Sequence, residues 1–164
     1  MMSRIQARLL LAACLAAGGL PLASAARAEE SLVWLERASE GFVSLAYGPL
    51  DPAKSPLLLL SCFDGMGIAV LDLHIAIDGA KPGEALTIAL SAGGAKSQVE
   101  GEAALDDANG IIFAEASDIE VKPVLEVLRQ AGPVAVTIGQ TSATLSDQGR
   151  ADAVGKFSQD CQID

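Results

Sequence analysis

The residues best suited to chemistry are Asp72 and His74, which stand two positions apart in an apolar run. On a β-strand this spacing places both side chains on one face, because successive side chains alternate. A carboxylate beside an imidazole could transfer a proton or begin a metal site. His74 is the only histidine, however, and no third ligand is suitably spaced. A hydrolase or metal-dependent enzyme is therefore an alternative, and a solvated strand face is the simpler interpretation.

Other catalytic patterns are absent from the sequence. No serine stands in a Gly-x-Ser-x-Gly elbow, and there is no Cys-x-x-Cys motif. The run Asp106–Gly110 lacks the ligand spacing and closing glutamate of a calcium loop, so we interpret it as a hairpin turn. We predict no catalytic residue, no metal ligand and no cofactor.

Short apolar segments separated by turn residues must position these side chains. Strands are predicted where apolar residues alternate with period two and where Gly, Asn and Pro mark the turns. They cover residues 32–37, 42–47, 57–63, 68–77, 86–90, 99–105, 111–116, 134–138 and 141–145. The turn between the third and fourth strands falls at Asp64–Gly67, and the fourth strand is predicted to be the longest.

Two helical segments interrupt the strands. Apolar residues share one helical face at Val121, Val124, Leu125 and Leu128, and again at Val154, Phe157 and Cys161 in a last helix from about Gly149. The predicted fold class is mainly β with two helices (α+β). We expect a single β-sandwich or a partly open antiparallel barrel with a docked C-terminal helix. The aromatic residues Trp34, Tyr47, Phe63, Phe113 and Phe157 are predicted core, and Phe42 is predicted exposed.

The N-terminal segment predicts export. Arg4 and Arg8 precede an apolar run from Leu9 to about Leu22, and small residues follow it. This order is typical of a cleavable signal peptide. We predict a signal peptide over residues 1–28 and a single exported β-rich domain over residues 29–164, located in the periplasm or secreted.

The end of this segment offers two cleavage sites, one after Ala25 and one after Ala28. A lipoprotein signal ending at Cys14 is an alternative, although the apolar stretch before that cysteine is short. Without the signal, no segment is expected to form a stable membrane span.

The predicted mature domain is strongly acidic. The chain contains 11 Lys and Arg and 21 Asp and Glu. Three of the arginines precede the later cleavage site and every acidic residue follows it, which leaves 8 basic residues and a net charge of −13. Nucleic acids and anionic membranes are bound through Lys and Arg, so such partners are disfavoured. A basic protein would be attracted, although acidity can also serve solubility alone.

Two cysteines, Cys62 and Cys161, remain after the predicted cleavage, and each shares an apolar face with its neighbours. Cysteine pairs in exported domains usually form disulfides. We therefore predict a Cys62–Cys161 bond that joins the last helix to an early strand. An intermolecular bridge and a redox thiol are the alternatives.

The C-terminal part carries a first resemblance. Its residues are Val124-Leu125, Leu128, Ala131-Gly132-Pro133-Val134, Gly149 and Phe157-x-x-x-Cys161. This part resembles exported bacterial proteins of the invasion-associated locus B type and VasI-like type VI secretion accessory proteins. The resemblance implies the order helix, strand, strand, helix and a non-catalytic exported protein. Arg150 stands where those families usually have an aromatic residue.

Residues 62–97 carry a second resemblance. They contain Cys62-Phe63-Asp64-Gly65 and Ser91-Ala92-Gly93-Gly94-Ala95-Lys96-Ser97. The segment is similar to the membrane-bound or periplasmic inhibitors of C-type lysozyme, in which a loop serine and a basic residue enter the cleft of the enzyme. The similarity implies Ser91 and Lys96 as their counterparts. Gly93 replaces the family's second serine and Ser97 its tyrosine, and a plain glycine turn remains the alternative interpretation.

The leading hypothesis is a non-enzymatic exported protein that binds another protein or serves as an accessory protein of the bacterial envelope. The candidate partner-binding residues are Ser91, Gly93, Gly94 and Lys96. The alternatives are a lysozyme-inhibitor-like protein that uses the 91–97 loop, and an enzyme that uses Asp72 and His74.

Overall fold

The computed structural model describes residues 31–63, 66 and 68–163. The predicted signal peptide and most of the predicted Asp64–Gly67 turn lie outside the described residues. Within them the chain forms nine strands and two helices. In order these are β1 (Leu32–Ser39), β2 (Phe42–Pro49), β3 (Leu58–Phe63), β4 (Ile68–Leu73), β5 (Ala85–Ala92), β6 (Ala95–Asp106), β7 (Ile111–Glu120), α1 (Val121–Leu128), β8 (Val134–Ile138), β9 (Thr141–Leu145) and α2 (Arg150–Asp160).

All these strands belong to one antiparallel sheet. Their order across the sheet is β1-β2-β3-β4-β7-β6-β5-β8-β9, and every neighbouring pair is antiparallel. The sheet curls into a half-barrel. The predicted class, mainly β with two helices and a docked C-terminal helix, is confirmed in its partly open barrel form.

The inner face of the sheet is apolar and is covered by the two helices. Helix α1 packs on β5 and β6, whereas α2 packs on β1 and β2. Leu45, Leu60, Leu71 and Leu90 on the strands are fully buried, as is Phe157 on α2. Side chains alternate along each strand, so the polar residues lie on the outer face. The outer face is therefore the part of the sheet available for binding.

The predicted helices and the predicted disulfide are confirmed. All four predicted positions on α1 are buried, and α2 begins after Gly149 and ends before Cys161. Cys62 and Cys161 form a disulfide with a Cα–Cα distance of 6.2 Å. Both cysteines are 1% exposed, so the bond fixes the end of α2 against β3 inside the core.

Two details of the strand prediction were wrong. Strand β4 ends at Leu73 instead of Ile77, and the longest strand is β6 with 12 residues. Beyond β4, the backbone N–H of His74 still donates to Leu57 O in register with β3, but that of Ile75 turns back to Leu73 O, which ends the strand. Phe63 was expected in the core but is 45% exposed.

Strand alternation explains the position of Phe63, because the preceding Cys62 faces the core. Phe63 pairs across the strands with Phe42, and their ring centroids are 6.1 Å apart. Phe42 is 37% exposed, as predicted, and the other predicted core aromatics are all buried.

Arg150, the first residue of α2, is 2% exposed. Its Nη2 donates to the carbonyl oxygens of Gln130 and, at 2.7 Å, of Gly132, both in the segment after α1. Its Cζ lies 5.9 Å from the ring centroid of Trp34. Burial lowers the pKa of the guanidinium. Arg150 therefore joins the start of α2 to the end of α1 and to β1.

Candidate functional site

The β5–β6 hairpin carries all four residues predicted to bind a partner. Its turn is Gly93-Gly94, with φ angles of 53° and 93°. These left-handed angles favour glycine and are typical of a type I′ turn. Ser91 pairs directly with Lys96, one step from the turn. Because the intervening Ala92 faces the core, Ser91 and Lys96 lie together on the outer face.

A hollow of about 490 Å³ opens on the outer face beside this pair. The outward side chains that line it are Ala89, Ser91, Lys96, Gln98 and Thr137. They offer two hydroxyls, one amide and one ammonium, all of which can donate hydrogen bonds. We call these five residues the hairpin hollow. Its chemistry suits a partner that presents hydrogen-bond acceptors.

The tip of the hairpin lies against the segment that follows α1. A Cβ atom built on Gly93 would lie 3.0 Å from Gln130 Cβ. The turn therefore needs glycine both for its backbone angle and for this close approach. Ser97, which stands where the lysozyme inhibitors have tyrosine, is 5% exposed and faces the core. Ser97 therefore lies on the opposite face of the sheet from Ser91 and Lys96.

A row of carboxylates crosses the middle of the outer face. Asp72 on β4 pairs with Glu115 on β7, and Glu115 pairs with Glu102 on β6. Glu100 follows on the same face of β6 and accepts a hydrogen bond from Thr87 Oγ1 at 3.2 Å. Like charges placed directly opposite repel each other. The sequence did not predict this row, because its members come from three separate strands.

The surroundings of Asp72, at one end of this row, shift the pKa of its carboxyl group. Burial, followed by the charge of Glu115, raises its pKa to about 6. Its Oδ1 is buried and has no hydrogen-bond partner among the described residues. At neutral pH, the ionised Asp72 carboxylate has no hydrogen bond to its Oδ1 that would offset the loss of solvation.

His74 has different surroundings from Asp72. Its ring stacks on Phe113, with centroids 4.4 Å apart and planes 9° apart. Burial lowers the pKa of the imidazole, and the nearby Asp106 carboxylate opposes that shift. Its Nδ1 has no hydrogen-bond partner within the described part of the chain. Over residues 31–63, 66 and 68–163, no group of three His, Cys, Asp or Glu side chains could hold a metal ion.

The Asp106–Gly110 segment is the turn between β6 and β7, as predicted. The Asp106 carboxylate accepts hydrogen bonds from Asn109 Nδ2 at 2.7 Å and from the backbone N–H of Ala108 at 3.0 Å. The Asn109 side chain is the main cause of the lowered pKa of Asp106. The Asp106 carboxylate therefore makes its hydrogen bonds within its own turn.

We expect Asp72→Asn to increase the free energy of unfolding at pH 7.5 by about 1 kcal/mol. The raised pKa means that the folded protein favours neutral Asp72, so stability falls as pH rises from about 4 through about 6. The gain should disappear near pH 3.5, where the wild-type carboxyl is protonated in both states. Urea titrations at both pH values measure it. Glu40→Gln, in the exposed β1–β2 turn, is the control, and an equal gain from Asp72→Asn at both pH values would contradict the prediction.

No protein-family model, curated protein or solved structure matches this chain. The two resemblances therefore rest on the residues that carry them. Helices α1 and α2 have 8 and 11 residues, and no helix in the described ranges is long and apolar enough to cross a membrane.

Proposed function

We propose that this chain is a non-enzymatic exported protein that binds another protein through the hairpin hollow. The observation that carries the proposal is the direct pairing of Ser91 with Lys96 at the edge of a hollow of about 490 Å³. Both side chains lie on the outer face, which the helices leave uncovered. Export is supported by the N-terminal sequence, and a buried disulfide is typical of proteins from oxidising compartments.

The charge of the chain favours a basic partner. Next to the hollow, β6 continues on the same face with Glu100 and Glu102, and Glu115 lies beside them. A basic protein that contacts the hollow would meet this row, which would speed association and orient the complex. Lys96 would then contact an acceptor on the partner, while the carboxylates contact its cations.

A lysozyme-inhibitor-like protein is the second candidate. It is favoured by the hairpin geometry, which presents a serine and a lysine side by side near a tip that is held by Gln130. A hairpin that is held in this way loses little conformational freedom on binding. An acidic inhibitor would also complement a basic lysozyme in charge.

We expect the oxidised mature domain to retain a basic envelope protein or C-type lysozyme at moderate salt. Ser91→Ala/Lys96→Ala should weaken binding at least about tenfold, or about 1.4 kcal/mol, because it removes a hydroxyl and an ammonium from the hollow. The matched control is Ser39→Ala/Lys122→Ala, which removes an exposed serine of β1 and an exposed lysine of α1. Calorimetric titration measures the three affinities.

Each outcome separates the candidates. Unchanged binding by Ser91→Ala/Lys96→Ala would place the interface outside the hollow. Full lysozyme activity at micromolar protein would reject the inhibitor-like candidate and leave the broader proposal standing. A turnover that is lost in Asp72→Ala or His74→Ala would reject the non-enzymatic proposal and support the enzyme alternative.

A further inference from the structure

The two edges of the open sheet differ in their protection. The β1 edge strand packs against α2 and carries the charged residues Glu36 and Arg37. Glu36 also lies beside Asp160 of α2. Charged residues and covering elements are common devices against unwanted strand pairing. The β9 edge, Thr141–Leu145, carries no charged residue and no proline.

The free hydrogen-bonding groups of β9 follow from its pairing with β8. The hairpin turns at Gly139, whose φ is 57°, and Ile138 pairs with Thr141 across the turn. In a two-residue hairpin this closing pair is hydrogen-bonded, and hydrogen-bonded pairs then alternate along the ladder. Ser142 and Thr144 therefore direct their backbone N–H and C=O groups away from β8. No described strand pairs with that side of β9. Just beyond its end, Ser146 O accepts a hydrogen bond from Trp34 Nε1 and Ser146 N–H donates one to the Tyr47 hydroxyl, so the open part of the edge ends at Leu145.

The charge distribution points to the partner for this edge. The segment from Gln130 to Ser146 contains no charged residue, although the chain as a whole has a net charge of −10. Two copies of such an acidic protein repel each other over most of their surfaces. They can approach closely without like-charge repulsion where β9 meets β9.

We propose that β9 pairs antiparallel with β9 of a second copy of this chain, around a two-fold axis at Ala143. This register opposes Ser142 of one copy to Thr144 of the other, and it pairs all the outward backbone groups of both residues. Registers centred on Ser142 or Thr144 would pair only one residue of each copy within the strand. Closed two-fold dimers are the commonest homo-oligomers. The β9 edge borders the hairpin hollow, because Ser142 pairs with Thr137, but the pairing of two copies uses backbone groups of β9 and does not depend on the proposed function.

Sedimentation equilibrium of the oxidised mature domain tests the dimer. The apparent mass should rise from one chain to two between micromolar and millimolar protein, since a five-residue edge gives a small interface. The Ser142→Lys variant should remain a monomer, because it places one lysine side chain from each copy at the β9–β9 interface. Ser39→Lys, at an exposed position on the β1 edge, should dimerise like the wild type. A wild type that stays at one chain throughout, or a Ser142→Lys variant that still dimerises, would overturn the proposal.

A cross-linking pair tests the register. Opposed residues of a non-hydrogen-bonded pair have Cα atoms about 4.5 Å apart, which a disulfide can span. Ala143→Cys should therefore give a covalent dimer on mild oxidation, whereas Ser142→Cys should give little. Equal or inverted yields would show that the copies do not meet in this register.

Discussion

Reduction of the Cys62–Cys161 bond is expected to lower the free energy of unfolding by about 4 to 5 kcal/mol. The bond joins residues separated by 99 positions, so it removes much of the conformational freedom of the unfolded chain. Domains of this size are stable by about 5 to 15 kcal/mol, so the loss is a large part of the total. Urea titrations followed by circular dichroism, with and without reductant, measure it.

The double variant Cys62→Ala/Cys161→Ala separates the bond from the reductant. It should be as unstable as the reduced wild type, and reductant should not change its stability. We expect α2 to stay docked in the reduced state at low denaturant, because Phe157 and Val154 remain buried. A difference of less than about 1 kcal/mol between oxidised and reduced protein would contradict the prediction, because loop closure predicts several times that value.

Replacement of Arg150 by methionine is expected to cost about 3 kcal/mol of unfolding free energy. Methionine fills most of the volume but leaves the carbonyls of Gln130 and Gly132 without their donor. It also removes the guanidinium from the ring of Trp34. Hydrogen bonds from a charged donor each contribute about 1.5 to 3 kcal/mol, and both of these part-buried bonds are lost. Thermal and urea unfolding of the oxidised proteins measure the change.

Two variants test whether geometry or charge is responsible. Arg150→Lys keeps the charge, but its strongly hydrated ammonium ends a shorter side chain than the Nη2 that donates to both carbonyls, and it lacks the planar group beside Trp34, so we expect it to recover less than half of the loss. Arg37→Met, on an exposed position of β1, should change stability by less than about 0.5 kcal/mol. If Arg150→Met were as mild as Arg37→Met, the link between α1 and α2 would not depend on this side chain.

Local patterns predicted the helices and the disulfide, because each depends on apolar residues that recur at a short, regular spacing. The spacing of Val121, Val124, Leu125 and Leu128 specifies one face of α1, and all four residues are buried. The inward positions of Cys62 and Cys161 follow from the same type of pattern. The β-rich class follows from alternation and turn residues repeated along the chain.

The same reasoning left three features unpredicted, for different physical reasons. Phe63 was expected in the core because it is apolar, but local alternation from the inward Cys62 places it on the outer face. Strand β4 stops at Leu73, because the backbone N–H of Ile75 donates to Leu73 O, two residues back in the chain, and not to a neighbouring strand. No local pattern predicted the burial of Arg150, which depends on contacts with a segment about 20 positions away and with Trp34.

The candidate site was likewise predicted only in part. The resemblance to lysozyme inhibitors singled out Ser91 and Lys96, and the glycine turn between them was visible as Gly93-Gly94. Their direct pairing on the outer face required the register of β5 and β6. The row of Asp72, Glu115 and Glu102 could not be predicted, because strand order brings β4, β7 and β6 together out of their sequence order.

By itself, the sequence determined the fold class, both helices, the cysteine pair and the residues of the hairpin tip, because these depend on spacings within a few residues or on the small number of cysteines. Only the tertiary structure decided the strand order, the single curled sheet, the hairpin hollow, the carboxylate row and the unpaired edge of β9. These features depend on which distant strands become neighbours. That choice is made by burial of the whole inner face against two helices, a property that no local period encodes.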